Sequence, residues 1–192
     1  MRKIILFIQR SVHALKQNED PSKPGNIKIV IGLFLSCLLG LGIVLAFYLK
    51  HYTAHWGLSG TFYEDRSFYK YISSGISKAI NFTNYSEMNG QIPPENFSAR
   101  WQGYLLIPQD DRYTFFLTAD DGAKLFIDGQ CLIDEWQDND STEFTTALLL
   151  KKGKHALRID YYNHWGKAVL KLFWMHDGQR KTLVPAHYFR NE

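Results

Sequence analysis

The sequence predicts an all-β antiparallel barrel or sandwich preceded by one transmembrane α-helix. Two observations carry that expectation. Residues 29–49 hold no charged side chain and are bracketed by Lys28 and Lys50. From Gly57 onward, short runs alternate apolar with polar residues and are separated by turn signals, the pattern of many short antiparallel strands. No internal repeat interrupts either pattern.

Residues 1–28 read as a basic cytoplasmic tail. They carry Arg2, Lys3, Arg10, Lys16, Lys23 and Lys28 against Glu19 and Asp20, four net positive charges. Within them, Ile4, Ile8, Val12 and Leu15 fall at helical spacing between Arg2, Lys3, Arg10 and Lys16, so residues 2–16 form either an amphipathic helix or a frayed basic tail. Pro21 and Pro24 end any helix there. With the tail and Lys50 set aside, the whole-chain charge of +3 leaves residues 51–192 at −2. That balance gives no case for nucleic-acid binding.

An α-helix needs about 20 apolar residues to cross a bilayer, and residues 29–49 supply them. Tyr48 and Tyr52 suit the aromatic belt at a membrane surface. The run is too long for a cleaved signal, and no small-x-small site follows it. The lipid bilayer is therefore an expected partner. The positive flank predicts a cytoplasmic N-terminus and a periplasmic or extracellular C-terminal domain. Gly32, Ser36 and Gly40 recur every four residues, a spacing that lets two helices approach closely and self-associate. Residues 50–56 read as a linker and 57–192 as the domain. Cys37 lies in the apolar run and Cys131 in the domain, so no disulfide is expected.

In the domain, Gly60–Tyr63 starts the first strand and residues 64–96 are irregular, with a short helix expected around Tyr69–Ile80. Phe97–Ile107 is a strand with a bend at Gly103, and Arg112–Thr118 is the next. Two later strands centre on His155–Tyr162 and Ala168–Trp174. Between these pairs lies Ala119-Asp120-Asp121-Gly122, followed by the alternation of Ala123, Leu125 and Ile127 against Lys124 and Phe126, and then the hairpin dipeptide Asp128-Gly129. Asp120 and Asp121 thus stand at a rim where the chain reverses. Neighbouring side chains of a trans chain point to opposite faces, whereas a cis peptide brings both to one side, where they could grip one cation. Ca²⁺, a hard cation with oxygen ligands, suits that arrangement; a solvated Asp-Asp-Gly turn is the other reading.

Residues 135–143 form an acidic loop, read as solvated, although Asp138 and Asp140 could contribute to a second cation site. The seven histidines show no zinc-type pairing, His155 reads as structural, and no G-x-S-x-G elbow or Cys–His arrangement is present. Asp120 and Asp121 are too close together to serve as separate acid and nucleophile. The chain is not expected to be an enzyme. Asn81, Asn84, Asn96 and Asn139 head N-x-S/T triplets.

Several pieces together resemble the PA-14 family, typified by the N-terminal part of a bacterial protective antigen. They are Gly57-Leu58 with Gly60 and Phe62-Tyr63; Trp101, Gly103-Tyr104-Leu105 and Pro108; Tyr113-Thr114-Phe115; Asp120-Asp121-Gly122-Ala123 with Ile127-Asp128-Gly129; Gly153 and His155 with Tyr161-Tyr162; and Leu170, Leu172 and Trp174 with Leu183-Val184-Pro185. The resemblance implies a compact antiparallel β-barrel or sandwich. Through its distant likeness to yeast flocculins and related adhesins, it also implies adjacent aspartates on Ca²⁺ through a cis peptide, a later asparagine completing the site, and the hydroxyls of a terminal sugar on the ion. Carried onto this sequence, the metal ligands are Asp120, Asp121 and Asn163. Trp165 and Trp136 are candidate sugar walls, with core or rim packing as the other reading of each. The function implied is a membrane-anchored, extracytoplasmic carbohydrate-binding module that uses Ca²⁺ to hold a glycan. The alternatives are a protein-interaction or structural module of the cell envelope, and an accessory subunit of a glycoside-processing enzyme.

Overall fold

The computed structural model describes residues 25–88, 91–176 and 178–192. The chain divides into two units, Met1–Lys50 and His51–Glu192. Helix α1 runs Gly25–Ala54, and Val30–Tyr52 within it is long and apolar enough to cross a membrane. Its apolar side chains from Ile31 to Leu49 are exposed, as a helix without a protein core around it requires. The helix takes in most of 50–56, where a linker was expected. The expected amphipathic segment 2–16 lies outside the described residues.

The second unit is two antiparallel sheets, and they do not close into a barrel. Its strands are β1 (Leu58–Tyr63), β2 (Tyr71–Ser77), β3 (Asn81–Phe82), β4 (Phe97–Ile107), β5 (Asp111–Asp120), β6 (Ala123–Ile127), β7 (Gln130–Glu135), β8 (Thr142–Leu150), β9 (Gly153–Asn163), β10 (Val169–Met175), β11 (Thr182–Leu183) and β12 (Phe189–Arg190). One sheet runs β2-β1-β4-β9-β6-β7, with β12 also on β4; the other runs β11-β10-β5-β8, with β3 also on β10. The Tyr69–Ile80 stretch, expected to hold a short helix, is instead β2, paired along the whole of β1. The short helix, α2 (Tyr85–Met88), comes later. No residue of β2 is buried, and its burial does not alternate, as suits a strand at the edge of the sheet.

The alternation read from sequence is the burial observed. In β6, Ala123, Leu125 and Ile127 face the core while Lys124 and Phe126 are half-buried. Asp128 and Gly129 both take positive φ, 49° and 80°, as the tight turn demands. Trp101, Tyr113, Tyr161, Phe62, Phe97, Phe115 and Phe189 are fully buried between the sheets. The Trp101 ring stacks on Phe82 and meets Phe62 edge-on, and its indole N–H donates to Ser77 Oγ at 2.9 Å. A bend was expected at Gly103; β4 instead keeps its register with β9 through it, and the glycine is needed because its φ is 156° and a Cβ there would stand 2.3 Å from the Arg190 carbonyl.

Candidate cation and carbohydrate site

The end of β5, the start of β6 and the end of β9 meet at one rim of the sandwich. The Asp120–Asp121 peptide is cis. Tyr161, buried in β9, donates its hydroxyl to the Asp120 carbonyl. Gly122 follows because nothing larger fits: a Cβ would stand 2.1 Å from Tyr162 Cε1. Its carbonyl accepts from the Tyr162 N–H at 2.9 Å, which ties the two segments together.

The two carboxylates are placed differently. Asp121 is 3% exposed; its Oδ2 accepts from the His164 N–H at 2.7 Å and its Oδ1 from the Asn139 N–H at 3.3 Å. Asp120 is half-buried. Burial, followed by the neighbouring Asp121 charge, pushes its pKa up, and the bond from the Ser141 backbone only partly offsets this. Two acids share one rim, and one of them is short of compensating charge.

Asn163 ends β9 and is fully buried. Its Nδ2 donates to the Pro94 carbonyl at 3.0 Å, which fixes the side chain, but its Oδ1 is buried without a hydrogen-bond partner. An unmet buried acceptor costs about 1–3 kcal/mol. With two carboxylates at the same rim, the donor set is all oxygen, the set that suits a hard divalent cation such as Ca²⁺. Among the described residues there is no group of three His, Cys, Asp or Glu side chains that could hold a metal, so a cation here would rely on the amide oxygen.

The two tryptophans differ. Trp165 is 67% exposed and stacks on His164 at 5.4 Å between centroids. Trp136 is half-buried, between Phe68 at 5.6 Å and Tyr162 at 4.8 Å, with Lys124 Nζ 5.5 Å from its ring. Trp165 therefore offers a free face and Trp136 forms part of the rim wall.

The acidic loop, read from sequence as solvated, is engaged. Asp138 accepts from the Tyr162 hydroxyl at 2.7 Å and pairs with His164 Nδ1 at 2.8 Å, while Arg66 approaches within 3.9 Å. The His164 and Tyr162 bonds hold the Asp138 carboxyl below its usual range, and burial with the same bond pushes the Tyr162 hydroxyl well up. Sequence reasoning missed Tyr161, Tyr162, His164 and Asp138 as a supporting frame. One signal was available: Tyr161-Tyr162-Asn163 breaks the alternation of β9, and all three are buried.

The PA14 domain family matches residues 55–188. This chain belongs to the PA14 domain family. The PA14 domain is 31% identical over 132 residues to the anti-sigma-I factor RsgI3 of Acetivibrio thermocellus, a match covering 68% of this chain and 20% of that protein. Among solved structures, an anti-sigma factor domain-containing protein superposes with a TM-score of 0.68 at 30% identity, over 72% of this chain and 48% of the other. A PA14 sugar-binding domain from an RTX adhesin superposes with a TM-score of 0.60 at 18% identity, over 72% of this chain and 99% of the other, which bears on the fold alone. The chain thus spans about a fifth of that curated relative and about half of the first solved one.

Proposed function

We propose that this PA14 chain is a membrane-anchored, extracytoplasmic, non-catalytic carbohydrate-binding module that holds Ca²⁺ at Asp120, Asp121 and Asn163. The observation that carries the reading is the buried, unpartnered Asn163 Oδ1 beside two rim carboxylates. A cation supplies the missing partner and offsets the like-charge crowding that raises Asp120. When bound, Ca²⁺ tolerates about six to eight oxygen ligands, so vicinal sugar hydroxyls can replace its waters. The chain's own part is to orient the donors. The His164 and Asn139 amides fix Asp121, Pro94 fixes Asn163, and Tyr161 holds the Asp120 backbone. Trp165 offers its free face to the apolar side of a pyranose, and Trp136 closes the rim. The sugar-binding PA14 domain of the RTX adhesin supports the glycan reading by fold, and the apolar span Val30–Tyr52 supports anchoring. Gly32, Ser36 and Gly40 would let two copies pair within the bilayer.

The likeness to anti-sigma factors favours a second reading on the same site, in which glycan occupancy is sensed outside the membrane and reported across it. The test is a calorimetric titration of the full chain in detergent micelles with Ca²⁺ and then a panel of neutral sugars, comparing wild type with Asp121→Ala. Sugar binding should need Ca²⁺ and vanish in the variant. Neutral-sugar binding that survives chelation, or no neutral-sugar binding by the wild type, would overturn the proposal.

A further inference from the structure

Strands β4, β9 and β6 lie side by side within the larger sheet, and their outward residues form a lattice. Arg100, Asp160 and Lys124 are register partners in one row; Gln102, Arg158 and Phe126 form the next; Tyr104 pairs with Ala156 beyond them. Across the first row, charges cancel. Arg100 grips buried Asp160 with a two-bond fork at 2.7 and 2.8 Å, and Lys124 meets Asp134 at 2.7 Å. Asp128 is taken by His155 at 2.6 Å.

Arg158 has to share its acid with Arg100. Its guanidinium lies 3.7 Å from the Phe126 ring centre, and its buried Nε has no hydrogen-bond partner, because the nearest acid, Asp160 at 3.5 Å, is already committed to Arg100. Lys154 stands 3.8 Å over the Tyr104 ring on the same strand. Between these two pinned cations, exposed Ala156 leaves a depression, part of a groove of about 340 Å³ lined also by Gln102, Tyr104, Phe126 and Gly129. The domain as a whole is slightly acidic, so two arginines on one aspartate, with Lys154 nearby, mark a local reversal of sign beside the groove.

The groove's occupant follows from its place. It lies on the face of strands whose backbone groups are already paired with neighbours on both sides, so no peptide can add there as a strand. Its volume is near the lower end of the roughly 300–1,000 Å³ of small-molecule sites, which suits a ring rather than a chain segment. We propose that this groove is a second site, one that takes the carboxylate of an acidic sugar unit on Arg158, with Gln102 and Tyr104 as polar partners for its hydroxyls. It rests on the carbohydrate-binding reading for the saccharide class, but it uses no residue of the aspartate rim and needs no cation.

The test is calorimetry on the full chain in detergent micelles, with chelator present throughout. The probes are a glucuronate-containing oligosaccharide, its carboxyl-reduced neutral counterpart and a short poly-glutamate. The acidic oligosaccharide should bind, and more weakly as salt rises. Arg158→Gln should weaken it about tenfold or more, as loss of a charge-assisted bond does. Ala156→Phe, an exposed change that fills the groove without touching the core, should abolish binding, and Asp121→Ala should leave it unchanged. Equal binding of the neutral oligosaccharide, equal binding of poly-glutamate, indifference to both groove variants, or no binding by the wild type would each overturn the second site. Loss of Ca²⁺-dependent binding at the rim with this binding retained would sink only the first.

Discussion

Asn163 is a side chain half satisfied: its amide nitrogen is bonded to Pro94 while its buried oxygen has no protein partner. Replacing it with Ala therefore removes one hydrogen bond, worth about 1 kcal/mol, and also an unmet acceptor. The expected outcome is a thermal midpoint in chelator that barely moves, together with loss of the stabilisation that Ca²⁺ gives the wild type, read by melting with and without the ion. A large destabilisation in chelator would mean that Asn163 serves only packing. Gly122 makes the opposite case, since any Cβ there collides with the Tyr162 ring. Gly122→Ala should cost roughly 1–3 kcal/mol in chemical denaturation, as overpacking does. It should also weaken Ca²⁺ binding, because Tyr162 must leave Asp138. The place of Asp120 and Asp121 at a strand rim was legible in the sequence, and the resemblance pointed to Asn163 and Trp165. Asp138, Tyr162 and His164 were not legible, because their bonds span 24 to 43 residues and no local pattern encodes them.

At the scale of elements, strand pairing holds β6 against β9, and one side chain fastens the turn of the β6–β7 hairpin to the same strand. Asp128 sits in the turn with φ 49°, accepts from the Ala156 N–H at 2.8 Å and pairs with His155 at 2.6 Å. Burial alone would lower the His155 pKa, but the Asp128 carboxylate and the Lys151 carbonyl outweigh it, so the pKa is raised. A raised folded pKa contributes stability that is fully present below the unfolded value of about 6.5 and is lost as pH rises through the folded value. Asp128→Asn keeps the turn conformation and the backbone bond but removes the charge. Its thermal midpoint should fall below the wild type's near pH 6, and the gap should close by pH 9. A gap that is constant with pH would sink this account. The alternation that predicted β6 and the Asp-Gly turn survives intact, because both are local. The helix expected near residues 69–80 failed because a serine-rich edge strand is stabilised by its pairing with β1, which no window of that length contains.

For the whole molecule, β4 acts as the ruler. Phe97 at one end pairs with Asn163 of the candidate site, and Leu105 pairs with Phe189 of β12, eight residues further along, or about 26 Å. Trp56 bridges to Arg190 at that second end. Trp56, just ahead of β1, therefore lies at the end of β4 away from the aspartate rim. The two cysteines offer a test of the proposed orientation. Both are free, Cys37 within the apolar span and Cys131 exposed on the domain. In a Cys37→Ser variant, a membrane-impermeant maleimide should label Cys131 from outside intact cells. Burial and the nearby Asp134 raise that thiol's pKa, so the reaction should speed up as pH is raised. Labelling only after lysis would reverse the proposed topology.

The sequence by itself determined the apolar span, the antiparallel strand pattern, the Asp-Gly turn and the family, because each depends on spacing within one stretch of chain or on residues fixed in order. Tertiary structure alone decided which groups are left unsatisfied. Whether Asn163 keeps a spare oxygen, whether Arg158 has an acid to itself or shares one, and whether the acidic loop is solvated or fastened depend on which distant residues arrive at each partner. A buried polar group is defined by what surrounds it, and those surroundings are assembled from strands far apart in the chain.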